Sequence, residues 1–199
     1  TDEEGFSARL DRGRTIVYCG FDPTAPSLHV GHLLGLVMLR RFQQAGHQPI
    51  ALVGGFTGGI GDPSGRTQER QRLQAETLDA NTRALKAQIA RLLPAVDGFA
   101  APWFVDNRDW LGPVDLLTFL GDIAVCLPIS ELLGKDSVKG RLAHGGTVTE
   151  MLYPLLQAQD WRVLREREGR EVQLGGADQW GNITLGLEFL RQTDAGNSF

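Results

Sequence analysis

Two histidines, His29 and His32, lie near the start of a predicted helix. Side chains at positions i and i+3 of a helix share one face, so both imidazoles are predicted to point to the same side. The helix N-terminus beside them carries unpaired N–H groups and attracts anions such as phosphate. Gly31, between the histidines, leaves the backbone open to a flat ligand. The pair therefore predicts a site that holds nucleotide phosphates and stabilises charge developing there.

Other interpretations of these residues are open at this point. The histidine pair alone is also compatible with packing or solvent-exposed side chains. A metal site is disfavoured, because no third ligand lies nearby in the sequence. The glycine-rich segment 54–65 predicts a loop or a distorted strand exit. It is neither a Walker loop nor a dinucleotide-binding loop, because Gly61 and Gly65 have the wrong spacing and Arg66 stands where lysine is required.

The surrounding sequence predicts alternating strands and helices. The β-rich segments that indicate strands are 15–20, 49–54, 103–105 and 171–174. Helical patterns lie at about 28–45, 78–93 and 179–191, with several more helices between 114 and 159. Strand, helix and strand in close succession form a βαβ unit with parallel strands. The sequence therefore predicts an α/β fold with a doubly wound parallel sheet and a helical insertion at about 114–160.

The composition excludes several classes of protein. The chain has 199 residues, 42% of them hydrophobic, and a net charge of −4. One domain with one core is the default, and a general positive field for nucleic acid is absent. Charged residues interrupt every apolar run before membrane-spanning length, so no membrane partner is expected. Cys19 and Cys126 form neither a disulfide framework nor a zinc motif, which favours a reducing, cytoplasmic location.

Four blocks of sequence carry a family resemblance. They are Tyr18–His32, Ala51–Gly55, Gly61–Arg66 and Gln173–Asn182. Together, and in this order, they resemble the blocks of class I aminoacyl-tRNA synthetases, in the tyrosyl-tRNA synthetase version of bacteria and mitochondria. The resemblance implies a Rossmann-like class I synthetase core. It also implies that 1–199 is one N-terminal catalytic domain, truncated before the family's lysine-rich second signature.

The resemblance implies the two-step reaction of a tyrosine–tRNA ligase. The carboxylate of L-tyrosine attacks the α-phosphorus of ATP, and tRNA-Tyr receives the tyrosyl group in the full-length enzyme. A carboxylate is already ionised at neutral pH, so the protein has to align the reactants and stabilise charge rather than supply a nucleophile. ATP is expected with Mg²⁺ as a substrate, with no tightly bound cofactor and no metal site on the protein. A homodimer is also expected.

The resemblance assigns three groups of site residues. For tyrosine they are Tyr18, Asp62, Tyr153, Gln157 and Asp160, with Tyr18 and Asp160 at the phenol. For the phosphates and the reacting centre they are Thr24, His29, His32, Arg66, Arg70 and Gln179. For the rest of ATP they are Cys19, Gly20, Asp22, Gly31, Gly176 and Asp178. Tyr153, Gln157 and Asp160 fall at i, i+4 and i+7, so one helix face can present all three.

Two features keep alternative functions open. Pro154 directly follows Tyr153, and if the helix begins near Thr147 the proline removes a hydrogen bond inside it and can kink it. The second signature is expected a few tens of residues beyond Phe199, and the segment from Lys135 to Lys139 resembles it only superficially, so this truncated fragment alone is expected to be poorly active. The alternatives are a synthetase-like module that binds tyrosine or an adenylate without charging tRNA, and a paralogue that adenylates without tRNA.

Overall fold

The computed structural model describes residues 2–64, 73–134, 139, 145–169 and 171–193. The strands are β1 (Ile16–Phe21), β2 (Gln48–Val53), β3 (Trp103–Asp106) and β4 (Glu171–Leu174). The α-helices are α1 (Glu3–Asp11), α2 (Val30–Gln44), α3 (Ala75–Leu92), α4 (Arg108–Leu111), α5 (Leu116–Thr118), α6 (Ile129–Gly134), α7 (Val148–Glu168) and α8 (Trp180–Gln192). The predicted strands and long helices are thus all present, with ends that differ by a few residues.

The four strands form one parallel sheet in the order β3-β2-β1-β4. Tyr18 at the centre of β1 lies opposite Ile50 of β2 and Gln173 of β4. The chain adds β2 and β3 on one side of β1 and returns to place β4 on the other side. Parallel sheets bind ligands at such a reversal of strand order, outside the carboxyl ends of the strands. The topology therefore places a ligand crevice between the ends of β1 and β4.

Helices cover both faces of the sheet, as the doubly wound prediction requires. Successive side chains of a strand point to opposite faces. Val17 and Cys19 of β1 pack in one buried cluster with Leu39 of α2 and Ile89 of α3. Tyr18 packs on the opposite face, in a second cluster that includes Trp110 of α4, Leu156, Trp161 and Leu164 of α7, and Leu190 of α8. The α/β fold with a doubly wound parallel sheet is confirmed.

Helix α7 carries three predicted site residues and continues through its internal proline. Thr147 caps its first turn, with the Thr147 N–H donating to Glu150 Oε2 at 3.0 Å and the Glu150 N–H donating to Thr147 Oγ1 at 3.4 Å. This reciprocal capping box satisfies two terminal N–H groups. Pro154 lies inside the helix, which nevertheless extends to Glu168. The proline therefore removes one backbone hydrogen bond without ending the helix.

The short helices between β3 and α7 share a third buried cluster with α7 and α8. Ile123, Leu127 and Leu132 pack there against Leu155 and Phe189. The extent of the helical insertion, about 114–160, stays a prediction. Within the described part of the chain, no helix combines the length and apolarity needed to cross a membrane.

Candidate active site

A cavity of about 660 Å³ opens at the carboxyl ends of β1 and β4. Its wall is built from the end of β1, the first turns of α2, the glycine-rich loop, α7 and the segment that follows β4. The lining includes members of all three predicted groups, namely Tyr18, Cys19, Gly20, Asp22, His29, Gly31, His32, Asp62, Tyr153, Gln157, Asp160, Gly176, Asp178 and Gln179. The fold therefore gathers these residues, which are spread over the whole sequence, around one space.

Three predicted site residues are not part of that lining. Thr24 lies in the turn after β1, where its backbone N–H donates to the carbonyl of Asp22 at 2.9 Å. It does not contribute to the cavity wall. Arg66 and Arg70 lie outside the described residues, as do 135–138 of the lysine-containing segment. The roles of all three site residues stay predictions.

One end of the cavity is formed by a buried carboxylate. Asp160 is 4% exposed, and each of its oxygens accepts a hydrogen bond. Trp110 Nε1 donates to Oδ1 at 2.7 Å and Asn107 Nδ2 donates to Oδ2 at 3.0 Å. Tyr18, on the neighbouring strand β1, is also buried and lines the same cavity. This end offers a phenolic hydroxyl an acceptor whose orientation is fixed by two donors.

Burial raises the pKa of Asp160 from its ordinary value of 3.8 to about 7. The hydrogen bonds from Asn107 and Trp110 lower the pKa, while the negative charges of Asp22 and Asp106 raise it further. Desolvation outweighs the two hydrogen bonds because the side chain is almost completely buried. Asp160 is therefore poised between its charged and neutral forms near neutral pH.

A second carboxylate, Asp22, is held by two hydroxyl groups. Thr57 Oγ1 donates to its Oδ1 at 2.8 Å, and the Tyr153 hydroxyl donates to its Oδ2 at 2.8 Å. A Cβ at Gly54 would lie 2.0 Å from Asp22 Oδ1, so this approach requires glycine. Burial, followed by the charges of Asp22 and Asp62, raises the pKa of Tyr153 well above its usual value. Tyr153 thus stays neutral and donates to Asp22 from the cavity wall, despite the proline that follows it.

A network of amides and two carboxylates, Asp62 and Asp178, lies near Tyr153. Gln179 Nε2 donates to Asp62 Oδ2 at 2.7 Å and to Asp178 Oδ2 at 3.0 Å. Gln157 Nε2 donates to Gln179 Oε1 at 3.2 Å, and Asn182 Nδ2 donates to Gln157 Oε1 at 3.0 Å. These contacts group the oxygen acceptors of Asp62, Gln157 and Gln179 in the cavity wall, and such a group suits a cation such as an ammonium.

The two histidines form the start of α2 and fix each other's orientation. Their rings stack with centroids 3.6 Å apart at an interplanar angle of 22°. His29 Nδ1 accepts from the Gly31 N–H at 3.1 Å, and His32 Nδ1 accepts from the His29 N–H at 3.3 Å. Because Nδ1 is the acceptor in both rings, the proton of each neutral imidazole lies on Nε2. The pair therefore presents two N–H donors next to a helix N-terminus.

The side chain of Cys19, in β1, faces helix α2. Burial, and to a smaller extent the charge of Asp178, raises the pKa of Cys19 to about 12. The thiol therefore remains protonated and is a weak donor rather than a nucleophile. A Cβ at Gly35 would lie 2.8 Å from Cys19 Sγ, so the glycine lets α2 approach β1 closely at this point.

Apart from Tyr153, sequence reasoning missed the residues whose side chains hydrogen-bond to Asp22 and Asp160. Thr57, Asn107 and Trp110 make these bonds, and Asn182 completes the amide network. Asn107 and Trp110 directly follow a strand that ends at the ligand edge of the sheet, which is a signal that could have identified them. Asn182 lies inside a block that carries the family resemblance, three residues after the predicted site residue Gln179.

The geometry of this site agrees with a family assignment made from the whole chain. The model of the family described as tRNA synthetases class I (W and Y) matches residues 10–197. This chain belongs to that family. W and Y are the one-letter codes of tryptophan and tyrosine, so the family comprises two amino acid specificities.

Similar proteins carry tyrosine in their names. The chain is 53% identical over 195 residues to a tyrosine–tRNA ligase of Aeromonas hydrophila and 50% identical over 194 residues to one of Geobacillus stearothermophilus. These matches cover 96% and 97% of this chain and 46% of each relative. The chain thus spans about half the length of the curated relatives it matches.

A solved structure shares the fold. A C-terminally truncated mitochondrial tyrosyl-tRNA synthetase of Aspergillus nidulans superimposes with a TM-score of 0.84 at 31% identity, covering 99% of this chain and 58% of that one. Together with the parallel sheet, this similarity supports a Rossmann-like class I synthetase core.

The titration of Asp160 generates a prediction about stability. The folded protein keeps the Asp160 proton between pH 3.8 and about 7, whereas the unfolded chain loses it near 3.8. The contribution of this carboxyl to the free energy of unfolding is therefore complete below 3.8 and is lost as pH rises to about 7. Urea denaturation of wild type and Asp160→Asn across this window measures it. The free energy of unfolding of the wild type minus that of the variant should decline as pH rises. A difference that does not change with pH would contradict the raised pKa of Asp160.

Proposed function

We propose that the chain is the catalytic region of a tyrosine–tRNA ligase. It activates L-tyrosine with ATP to give tyrosyl-adenylate and pyrophosphate, and the whole protein then transfers the tyrosyl group to tRNA-Tyr. The observation that carries this proposal is the pair of features at one cavity: a buried, doubly hydrogen-bonded carboxylate, Asp160, and two histidines at a helix N-terminus. The names of the relatives support tyrosine as the amino acid.

The phenol end supplies selectivity. The phenolic O–H of tyrosine donates to Asp160, with Tyr18 beside it. Phenylalanine would leave the buried Asp160 without this donor, and a site built to hydrogen-bond a substrate hydroxyl rejects the analogue that lacks it by about 10⁴–10⁵-fold. The fixed orientation of Asp160 by Asn107 and Trp110 supports this role, because the carboxylate does not have to reorganise when the phenol binds.

The other end of tyrosine binds beside the amide network. Its ammonium group donates to Asp62, to the hydroxyl oxygen of Tyr153 and to Gln157. The support is that the hydroxyl proton of Tyr153 goes to Asp22, which leaves the oxygen as an acceptor on the side of the cavity. Gln179 then lies near the substrate carboxylate and the α-phosphate, since it contacts both Asp62 and Asp178.

ATP binds at the α2 side of the cavity. The Nε2–H groups of His29 and His32 donate to its phosphates, the backbone at Gly31 lies near the adenine, and Asp178 with Gly176 binds the ribose. The described residues include no group of three His, Cys, Asp or Glu side chains that could hold a metal ion. Mg²⁺ is assigned to the phosphates of ATP as part of the substrate, and no step here depends on a protein metal site.

The chemistry needs no protein nucleophile. The tyrosine carboxylate forms a bond to the α-phosphorus, the bond from that phosphorus to the bridging oxygen breaks, and pyrophosphate leaves with the electron pair. The histidine donors stabilise negative charge that grows on the α-phosphate oxygens. The walls of the cavity hold the carboxylate and the phosphorus in line. The protonated Cys19 thiol takes no covalent part.

A cytoplasmic location is part of the proposal and rests on the two free cysteines.

The central test is tyrosine-dependent exchange of pyrophosphate into ATP by the native polypeptide that contains these 199 residues. We expect exchange with tyrosine and about 10⁴-fold less with phenylalanine. Exchange with tryptophan instead would assign the other specificity of the family. Tyrosine binding without exchange would identify a non-charging module, and exchange without aminoacylation of tRNA-Tyr would identify a paralogue that serves another acceptor.

Substitution of Asp160 tests the assignment of the phenol end. We expect Asp160→Ala to weaken tyrosine binding by about 100-fold or more, since it removes a buried charged acceptor, while ATP binding changes little. Asp178→Ala is the matched control, for which ATP binding should weaken and tyrosine binding should persist. Calorimetry with each ligand separately measures both. Unchanged tyrosine affinity in Asp160→Ala would refute the assignment of Asp160.

We also propose a homodimer formed through the short helices. Leu116, Leu117 and Leu120 and the nearby Val125 and Ile129 are between 54% and 82% exposed. Such a group of apolar side chains is typical of a protein–protein interface. The proposed occupant is a second copy of the same chain.

The dimer proposal predicts different effects of two matched substitutions. Leu117→Asp should shift the native polypeptide to a monomer, because it places a charge in an apolar interface. Leu92→Asp, at an exposed apolar residue of α3 (48% exposed), should leave the dimer intact. Analytical ultracentrifugation measures the mass of each. A monomeric wild type, or a dimeric Leu117→Asp, would contradict the proposal.

A further inference from the structure

A continuous series of hydrogen bonds joins the two ends of the proposed tyrosine pocket. Asn107 Nδ2 donates to Asp160 Oδ2 at 3.0 Å and to Thr57 Oγ1 at 2.9 Å. Thr57 Oγ1 donates to Asp22 Oδ1 at 2.8 Å, and the Tyr153 hydroxyl donates to Asp22 Oδ2 at 2.8 Å. The series runs from the phenol end, at Asp160, to the ammonium end, at Tyr153.

A single backbone group fixes the direction of these bonds. The Phe56 N–H donates to Asn107 Oδ1 at 2.9 Å, so the amide nitrogen of Asn107 must face Thr57 and Asp160. Because Thr57 Oγ1 accepts from that nitrogen, its own proton goes to Asp22. Reversal of any one member would bring two donors or two acceptors together, which is costly in a buried place. The series therefore has one favourable arrangement rather than several.

Burial makes the members depend on each other. Asn107 is 0% exposed and Thr57 is 2% exposed, so water has little access to replace a lost partner. In surroundings of low polarity a hydrogen bond is stronger, and an unpaired group costs more, than at the surface. Asn107 is not among the residues that line the cavity, so it acts on a ligand only through its neighbours. Buried hydrogen bonds through Asn107 and Thr57 thus connect the carboxylates of Asp160 and Asp22.

We propose that Asn107 and Thr57 are positioning residues that couple recognition of the phenol to placement of the ammonium. This inference rests on the proposed function, since it takes the phenol to bind at Asp160 and the ammonium beside Tyr153. A phenol that donates to Asp160 changes the strength, and not the direction, of the hydrogen bond that Asp160 accepts from Asn107. Asn107 in turn alters the contact of Thr57 with Asp22, and Asp22 orients the Tyr153 hydroxyl.

The consequence is that the substrate hydroxyl influences the protein groups that contact the phenol and also those that contact the ammonium. A tyrosine that satisfies Asp160 also has its ammonium, and hence the attached carboxylate, placed correctly for attack on ATP. Phenylalanine loses the direct contact and, in addition, the correct placement. Discrimination then arises partly in the chemical step and not only in binding.

A thermodynamic cycle between substrate and protein tests the coupling. Tyrosine and phenylalanine have the same ammonium group, so for independent ends Tyr153→Phe lowers kcat/KM by the same factor for both substrates. With coupled ends the two factors should differ by about threefold or more, in the range found for residues that share a network. Tyrosine- and phenylalanine-dependent pyrophosphate exchange by the native polypeptide gives the four values.

Two variants of Thr57 separate the hydroxyl from the shape of the side chain. Thr57→Val keeps the size and a methyl group but removes the hydroxyl, whereas Thr57→Ser keeps the hydroxyl and removes the methyl. In a protein that carries Thr57→Val, the factors by which Tyr153→Phe lowers kcat/KM for tyrosine and for phenylalanine should become equal within about twofold. In the Ser background they should remain different. If Thr57 acted only through apolar contact with the ligand, the two Tyr153→Phe factors would stay different in Thr57→Val and become equal in Thr57→Ser.

The outcomes distinguish the coupling from the proposed function. A wild type that exchanges no pyrophosphate, or does not prefer tyrosine, contradicts the proposed function and the coupling with it. A wild type that prefers tyrosine but shows equal Tyr153→Phe factors for both substrates contradicts the coupling alone. A difference that persists in Thr57→Val also overturns it, because the hydroxyl would then not carry the connection.

Discussion

The site depends on a carboxylate that is removed from water and still has both oxygens hydrogen-bonded. An isolated ionised carboxylate in such a place costs several kcal/mol, so Asp160 is tolerable only with the donors Asn107 and Trp110. These donors follow β3, whereas Asp160 lies on α7, so they meet only when both elements pack on the same face of the sheet. The packing that stabilises this part of the fold therefore also fixes the geometry of the pocket.

Much of the fold could be predicted because its signals are local. Apolar β-rich segments with glycine or a turn at the end predicted β1 and β2, and the helical repeat predicted α3. Their order implied parallel pairing and a ligand edge. The ends of the elements were less accurate, since capping by residues such as Thr147 depends on the geometry of a few atoms.

The site was predicted in part, and the part that was missed has a physical explanation. Residues on one helix face, such as Gln157 and Asp160, can be found from spacing. Thr57 and Asn107 are 50 residues apart and bond to each other only in the folded chain. A threonine in a glycine-rich loop and an asparagine after a strand have many ordinary uses. Their roles follow from hydrogen-bond directions, which a sequence does not contain.

Pro154 illustrates how context overrides a local rule. A proline inside a helix is expected to disturb it, yet α7 is continuous and Tyr153 still reaches Asp22. The capping box at Thr147 and the buried contacts of Leu155 and Leu156 hold the helix on both sides of the missing hydrogen bond. Only the backbone bond to the carbonyl four residues earlier is lost, which packing elsewhere can offset.

Gly54 shows how an inert position can be as restricted as a reactive one. It has no side chain, contributes no functional group and is absent from the cavity wall, yet the space its Cβ would need is occupied by an oxygen of Asp22 and the hydroxyl of Thr57. A survey of random substitutions would mark it as intolerant alongside the ligand-binding residues. Intolerance to substitution at this position would therefore report the volume reserved for neighbouring groups, and not participation in the reaction.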